Sequence, residues 1–121
     1  MKSIIHVDNS GFFRKLVQKF LTQQGYVVES FNLAKEALEI ISGGQVGLVL
    51  TGLSLPDMEG EEFIQRIMDY SFNIPIVAFT STESTRTDDE LIDLGIKGWV
   101  IKSGTWQGML LPLVHQHFVA D

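Results

Sequence analysis

Cysteine is absent from the chain, which excludes disulfides and thiolate-held metals and fits a reducing compartment. Basic runs are absent too: Arg14-Lys15 is the only pair of adjacent cations, and the net charge is −6. Phosphate contacts need clustered Lys and Arg, so nucleic acid is not expected as a partner. No apolar run reaches the length of a membrane span, and the segment from Met1 to Asp8 is too short for a signal peptide's apolar stretch. A cytoplasmic domain that does not enter the membrane is therefore expected. There is no G-x-G-x-x-G, and the turn Asp8-Asn9-Ser10-Gly11 is not the Ser/Thr-rich loop that a flavin phosphate needs. Linkers, repeats and low-complexity stretches are missing as well, so residues 1–121 read as one domain.

What is present is an ordinary globular composition, 45% hydrophobic and 20% charged, in 121 residues. That length can bury a layered core without staples. Short β-branched runs alternate with helical stripes. Ile4-Ile5-His6-Val7 reads as a buried strand, followed by a stripe of Phe13, Leu16, Val17, Phe20 and Leu21 that Gly25 stops. Tyr26-Val27-Val28 is the second strand, and Ala34, Ala37, Leu38 and Ile41 mark the second helix, ended by Gly43-Gly44. Val46 to Thr51 is the most apolar strand, as a central parallel strand covered on both faces should be. Phe63, Ile64, Ile67 and Met68 mark the third helix, and Pro75 to Phe79 the fourth strand. A polar stretch from Ser81 to Glu90 leads into a short helix with Leu91, Ile92 and Leu94, closed by Gly95. Trp99-Val100-Ile101 is the fifth strand, and Met109, Leu110, Leu113, Val114 and His117 form the last stripe.

Strands alternating with helices imply an α/β fold with right-handed crossovers. Five such units fit a flavodoxin-like three-layer (βα)5 architecture, with a parallel five-stranded sheet of order 2-1-3-4-5. In that winding the active crevice lies at the carboxyl ends of the central strands. The residues that should meet there are Asp8-Asn9, Thr51-Gly52, Thr80 and Lys102.

Four segments stand in order: Val7-Asp8-Asn9-Ser10; Val49 to Gly60, with Gly52 and Pro56; Pro75 to Thr80; and Leu94 to Lys102. Together they resemble the receiver domains of bacterial two-component systems over essentially the whole chain. The resemblance implies an acceptor aspartate, four residues before the loop proline, that takes a phosphoryl group from a histidine kinase; Pro56 places that position at Gly52. It also implies Mg²⁺ held by two acidic residues after the first strand, here Asp8 and Asn9. Thr80 matches the residue that binds phosphoryl oxygens, Lys102 the lysine that pairs with acceptor and phosphate, and Trp99 the aromatic that reports the switch. The face built by the fourth helix, fifth strand and fifth helix would meet a signalling protein, kinase or effector, and homodimerisation stays open.

The departures carry the functional reading. Glycine has no side chain, so position 52 can neither attack phosphorus nor carry an acyl phosphate. Asp8 is the only carboxylate left for Mg²⁺, which prefers a hard oxygen set; no cofactor is expected, and Mg²⁺ binding should be weak or absent. Ser103 replaces the proline that usually follows the lysine, so a trans bond and a re-routed loop are expected. Pro112 falls inside the last apolar stripe and predicts a kink or late start. Lys102, without its usual anion, should turn to Asp8, and Trp99 should rest between the fourth and fifth helices. The expected function is a phosphorylation-independent protein-interaction module rather than an enzyme. The alternative is a receiver that still accepts phosphate, or binds Mg²⁺ or a small ligand, in the modified crevice.

Other polar residues have plainer readings. His6 is expected to be a satisfied core residue, and His115 and His117, two apart on a helix, cannot face one ligand together. Thr51 and Ser54 lack an obvious base, and Asp57 follows Pro56 in the outer loop, so none is expected to replace the acceptor.

Overall fold

The computed structural model describes residues 1–71, 73–81 and 87–121. Half of the polar stretch expected from Ser81 to Glu90, residues 82–86, lies outside the described residues. The elements run β1 (Ser3–Val7), α1 (Gly11–Gln23), β2 (Val28–Phe31), α2 (Ala34–Ile41), β3 (Val46–Thr51), α3 (Gly60–Tyr70), β4 (Ile76–Thr80), α4 (Asp88–Asp93), β5 (Gly98–Ile101) and α5 (Trp106–His117). All strand pairs are parallel, and the sheet order is β2-β1-β3-β4-β5. The α/β class and the flavodoxin-like winding are therefore as the alternation of runs and stripes implied.

The pleat divides the core into two layers. Ile4, Leu48, Leu50, Val77, Phe79 and Val100 meet Val17 and Leu21 of α1 and Trp106, Leu110 and Val114 of α5. Ile5, Val7, Val49, Ile76 and Ala78 meet the buried residues of α2, α3 and α4. Each such aliphatic side chain, fully buried, contributes about 1.5–3 kcal/mol, and β1 and β3 are buried along their whole length. Helix starts are fixed locally. Ser10 Oγ accepts the Phe13 N–H at 3.2 Å, and Thr87 with Glu90 forms a capping box on α4. That box explains why α4 opens on Asp88-Asp89-Glu90, ahead of its apolar residues.

Four expectations shift. The second strand is Val28–Phe31, not Tyr26 to Val28, because it must lie beside β1, pairing Ile4 with Val28 and Val7 with Phe31. Tyr26 instead packs on Phe118, ring centroids 5.0 Å apart. Ile92 and Met109, expected in buried stripes, are exposed by 57% and 43%. In α5 the buried seam is Trp106, Leu110 and Val114, four apart, and Met109 falls outside it. Finally, α5 begins at Trp106 and runs through Pro112, so of the expected kink or late start the late start does not occur. Pro112 and Gly108 are both exposed, which leaves the carbonyl freed by the proline open to water.

Gly60 marks the tightest approach that shapes the site. A Cβ there would fall 2.8 Å from the Cα and the carbonyl oxygen of Leu53, in the loop that follows β3. The Gly60 N–H donates to that same carbonyl at 3.0 Å. Backbone cannot step aside as a flexible side chain can, so Gly60→Ala should cost about 1–3 kcal/mol. Gly104→Ala, with nothing within 4 Å of the added methyl, should stay within about 0.5 kcal/mol. Urea unfolding of the two variants measures the difference, and equal midpoints would contradict it.

Candidate functional site

The carboxyl ends of four strands converge as the winding requires. The Gly52 N–H donates to Val7 O at 3.0 Å, tying the end of β3 to β1. The Lys102 N–H donates to Thr80 O at 2.7 Å, tying the end of β5 to β4. A Cβ on Gly52 would sit 3.8 Å from a Leu55 methyl and 3.9 Å from the carbonyls of Val7 and Phe79. That is ordinary contact, so nothing in the packing demands glycine at this position.

Asp8 is the centre of the arrangement. Lys102 Nζ donates to its Oδ1 at 2.9 Å, and the Ser10 N–H reaches the same oxygen at 2.9 Å. The pair is largely shielded from water: the Asp8 side chain is 1% exposed and that of Lys102 14%. Lys102 thus takes Asp8 as its anion, as expected of an ammonium without a partner at position 52. Its Nζ also lies 4.9 Å from the Phe13 ring centre and 5.3 Å from that of Phe79. Removing one member of such a buried pair costs about 3–5 kcal/mol.

His6 corrects the expectation of a satisfied core histidine. It is fully buried, and neither ring nitrogen has a hydrogen-bond partner among the described residues. Its Nε2 stands 3.3 Å from Asp8 Oδ2. The separation is short enough for attraction but falls short of an aligned hydrogen bond, leaving a close polar contact. Burial drives the His6 pKa below its ordinary 6.5, with nearby Asp8 opposing, so the ring is neutral at pH 7. For Asp8, burial alone would raise the pKa. The contacts from His6, the Ser10 N–H and Lys102 together outweigh it, and the carboxyl titrates below its ordinary 3.8.

Other expected residues fall around this centre. Asn9 Nδ2 donates to Ser54 O at 3.4 Å across the crevice mouth. Asp8 offers one carboxylate, with Oδ1 engaged by an ammonium and an amide and Oδ2 facing His6; that donor set is a poor match for Mg²⁺. Among the described residues no three His, Asp or Glu gather as a metal cluster. Thr80 is buried at its strand end and meets Lys102 through its carbonyl. Thr51 Oγ1 donates to Gly52 O at 2.7 Å. Asp57 is not idle: its two oxygens accept the Ala34 and Lys35 N–H groups, both at 2.9 Å, capping α2, whose own N-cap, Leu33, offers no side-chain oxygen. Among the described residues no peptide bond is cis, so Lys102-Ser103 is trans as expected, and Ser103 opens a turn in which its carbonyl accepts the Trp106 N–H at 3.3 Å. Trp99 lies half-buried against the layer formed with α2, α3 and α4. His115 and His117 sit on α5, away from the crevice.

Sequence reasoning missed Phe13, Phe79, Trp106 and Arg14. Arg14 Nη1 donates to Asp8 O at 2.7 Å, holding the loop that carries Asp8. The signal for Arg14 was its place one turn after Ser10, facing back over the cap. The aromatic residues looked like ordinary core.

Comparison with known proteins agrees with the geometry. The family model of the response regulator receiver domain matches residues 4–110. The transcriptional regulatory protein PcoR of Escherichia coli is 24% identical over 102 residues, 84% of this chain and 45% of that protein. The autoinducer 1 sensor kinase/phosphatase LuxN of Vibrio harveyi is 32% identical over 87 residues, 72% of this chain and 10% of that protein. The chain therefore spans less than half the length of these curated relatives. Among solved structures, the chemotaxis response regulator CheY4 of Vibrio cholerae superposes with a TM-score of 0.83 at 26% identity, covering 98% of this chain and 99% of that one.

The buried triad makes stability depend on pH in a stated direction. With the native His6 pKa below 6.5, the unfolded chain binds the extra proton first as pH falls. Stability is full above about pH 7 and declines below 6.5. A second loss follows below 3.8, where unfolded Asp8 protonates before the native carboxylate does. Urea unfolding at pH 7.5, 6.5 and 5.5 should show a falling midpoint that His6→Leu flattens. An unchanged slope in His6→Leu contradicts this account.

Proposed function

We propose a function from one premise: the chain belongs to the response regulator receiver domain family. It is a two-component receiver that works as a protein-interaction module without accepting a phosphoryl group. The observation that carries this reading is Gly52, at the place the family resemblance gives to the acceptor, with Lys102 already committed to Asp8 at 2.9 Å. An acyl phosphate needs a carboxylate at that place, and the oxygens of Thr51 and Asp57 are engaged elsewhere, while the exposed Ser54 offers only a hydroxyl. Thr51 is buried and turned to the next carbonyl, and Asp57 is spent on α2. The reading includes weak or absent Mg²⁺ binding and no enzymatic activity.

Support for a partner surface comes from the far edge of the sheet. Ile92 of α4, Ile101 of β5 and Met109 of α5 are exposed by 57%, 39% and 43%. They belong to the three elements expected to meet a kinase, an effector or a second copy. Large apolar side chains exposed on these three elements favour contact with protein.

Incubation with Mg²⁺ and acetyl phosphate should leave the mass of the protein unchanged. A phosphoryl adduct on Thr51, Ser54 or Asp57 would defeat the proposal. Because Gly52 has room for a side chain, Gly52→Asp should fold, yet bind beryllofluoride poorly while Asn9 leaves the metal short of a carboxylate. Gly52→Asp combined with Asn9→Asp should bind about tenfold or more tightly than either single change. Equal affinity of the single Gly52→Asp variant would show that the first-strand acid pair matters less than proposed.

A further inference from the structure

We infer that Phe13 and Phe79 are positioning residues: their ring faces cage the Lys102 ammonium and hold it on Asp8, so that the crevice keeps one arrangement. The observation is geometric. Lys102 Nζ lies 4.9 Å from one ring centre and 5.3 Å from the other, within the range where a cation is drawn to an aromatic face. The rings are themselves pinned. Phe13 meets Phe79 edge-on, with centroids 5.4 Å apart, and the buried Trp106 stands 6.3 Å from Phe13 and 5.7 Å from Phe79. Phe20 closes the group at 5.5 Å from Trp106.

Three elements are thereby joined to the lysine: α1 through Phe13, β4 through Phe79 and α5 through Trp106. An aliphatic wall would exclude water equally well but would offer the cation nothing. Aromatic faces attract the ammonium, and the effect is larger where water is excluded, as around a side chain only 14% exposed. Asp8 neutralises the charge, and the rings determine that the nitrogen stays inside instead of swinging to solvent on its four-carbon stem. This inference rests on the reading of the crevice as one without an acceptor at position 52, and it adds the device that keeps Lys102 from waiting on a ligand.

Reductive methylation of the native chain, with peptide mass mapping, reads the accessibility of each lysine amine. Lys102 should react far more slowly than Lys15 and Lys19, which are exposed on α1. Phe13→Leu, similar in bulk but without a π face, should raise the Lys102 rate about tenfold while leaving Lys15 and Lys19 unchanged. Phe13→Tyr, which keeps the face, should retain the protection. If Phe13→Leu does not fold by thermal melting, Phe13→Met serves as the non-aromatic variant. Protection that survives in the Leu or Met variant, or that Tyr loses as fully as Leu, overturns the cage. No phosphodonor enters this experiment. The cage can therefore fail while the chain still refuses phosphate, and a phosphorylated chain can still show a protected Lys102.

Discussion

The contact between Lys102 and Asp8 is the constraint around which the rest of the site is arranged. A buried ammonium and a buried carboxylate each need the other, and here they meet at 2.9 Å across the ends of β5 and β1. Those strands are not neighbours, since β3 and β4 lie between them. The pair therefore clamps the carboxyl edge of the sheet across its middle. Ser10 supplies an amide to the same carboxylate oxygen while its own hydroxyl caps α1. Arg14 reaches back to the Asp8 carbonyl. His6, neutral and dry, occupies the remaining side of the carboxylate.

This organisation assigns the residues of a receiver crevice to internal partners. The lysine has an anion, the carboxylate has three polar neighbours, and the loop aspartate Asp57 caps a helix. A ligand changes a conformational equilibrium only through a difference in affinity between two states. Side chains engaged with one another leave little such difference to exploit. Under the proposed function, output would depend on what docks against the surface; Ile101, one of the exposed apolar residues, lies on β5, the edge strand opposite β2.

Much of the fold was legible because a parallel sheet writes itself plainly. Val46 to Thr51 is apolar at nearly every position because both its faces are covered. The edge strand β2 was harder. Its Glu29 and Ser30 look like loop residues, and only pairing with β1 makes them strand. In α5 the apolar residues surround the helix, so composition could not choose between a seam through Met109 and one through Trp106. The crevice positions Asp8, Gly52, Thr80 and Lys102 were readable from spacing after each strand. The roles of Phe13 and Phe79 were not, because an aromatic residue in a stripe looks the same whether it fills space or faces a cation. His6 was misjudged for a similar reason: strand parity shows which way it points, but not that its nitrogens find no aligned partner there.

The central claim is that this crevice is closed on itself and insensitive to a phosphoryl mimic. Amide and indole resonances of Thr80, Trp99 and Lys102 in the native chain, followed by NMR during titration with Mg²⁺ and beryllofluoride, test it most directly. The account predicts shifts no larger than those of residues remote from the crevice, with no saturation. Saturable, Mg²⁺-dependent shifts at Thr80 and Trp99 would contradict it and show that the site still senses a ligand.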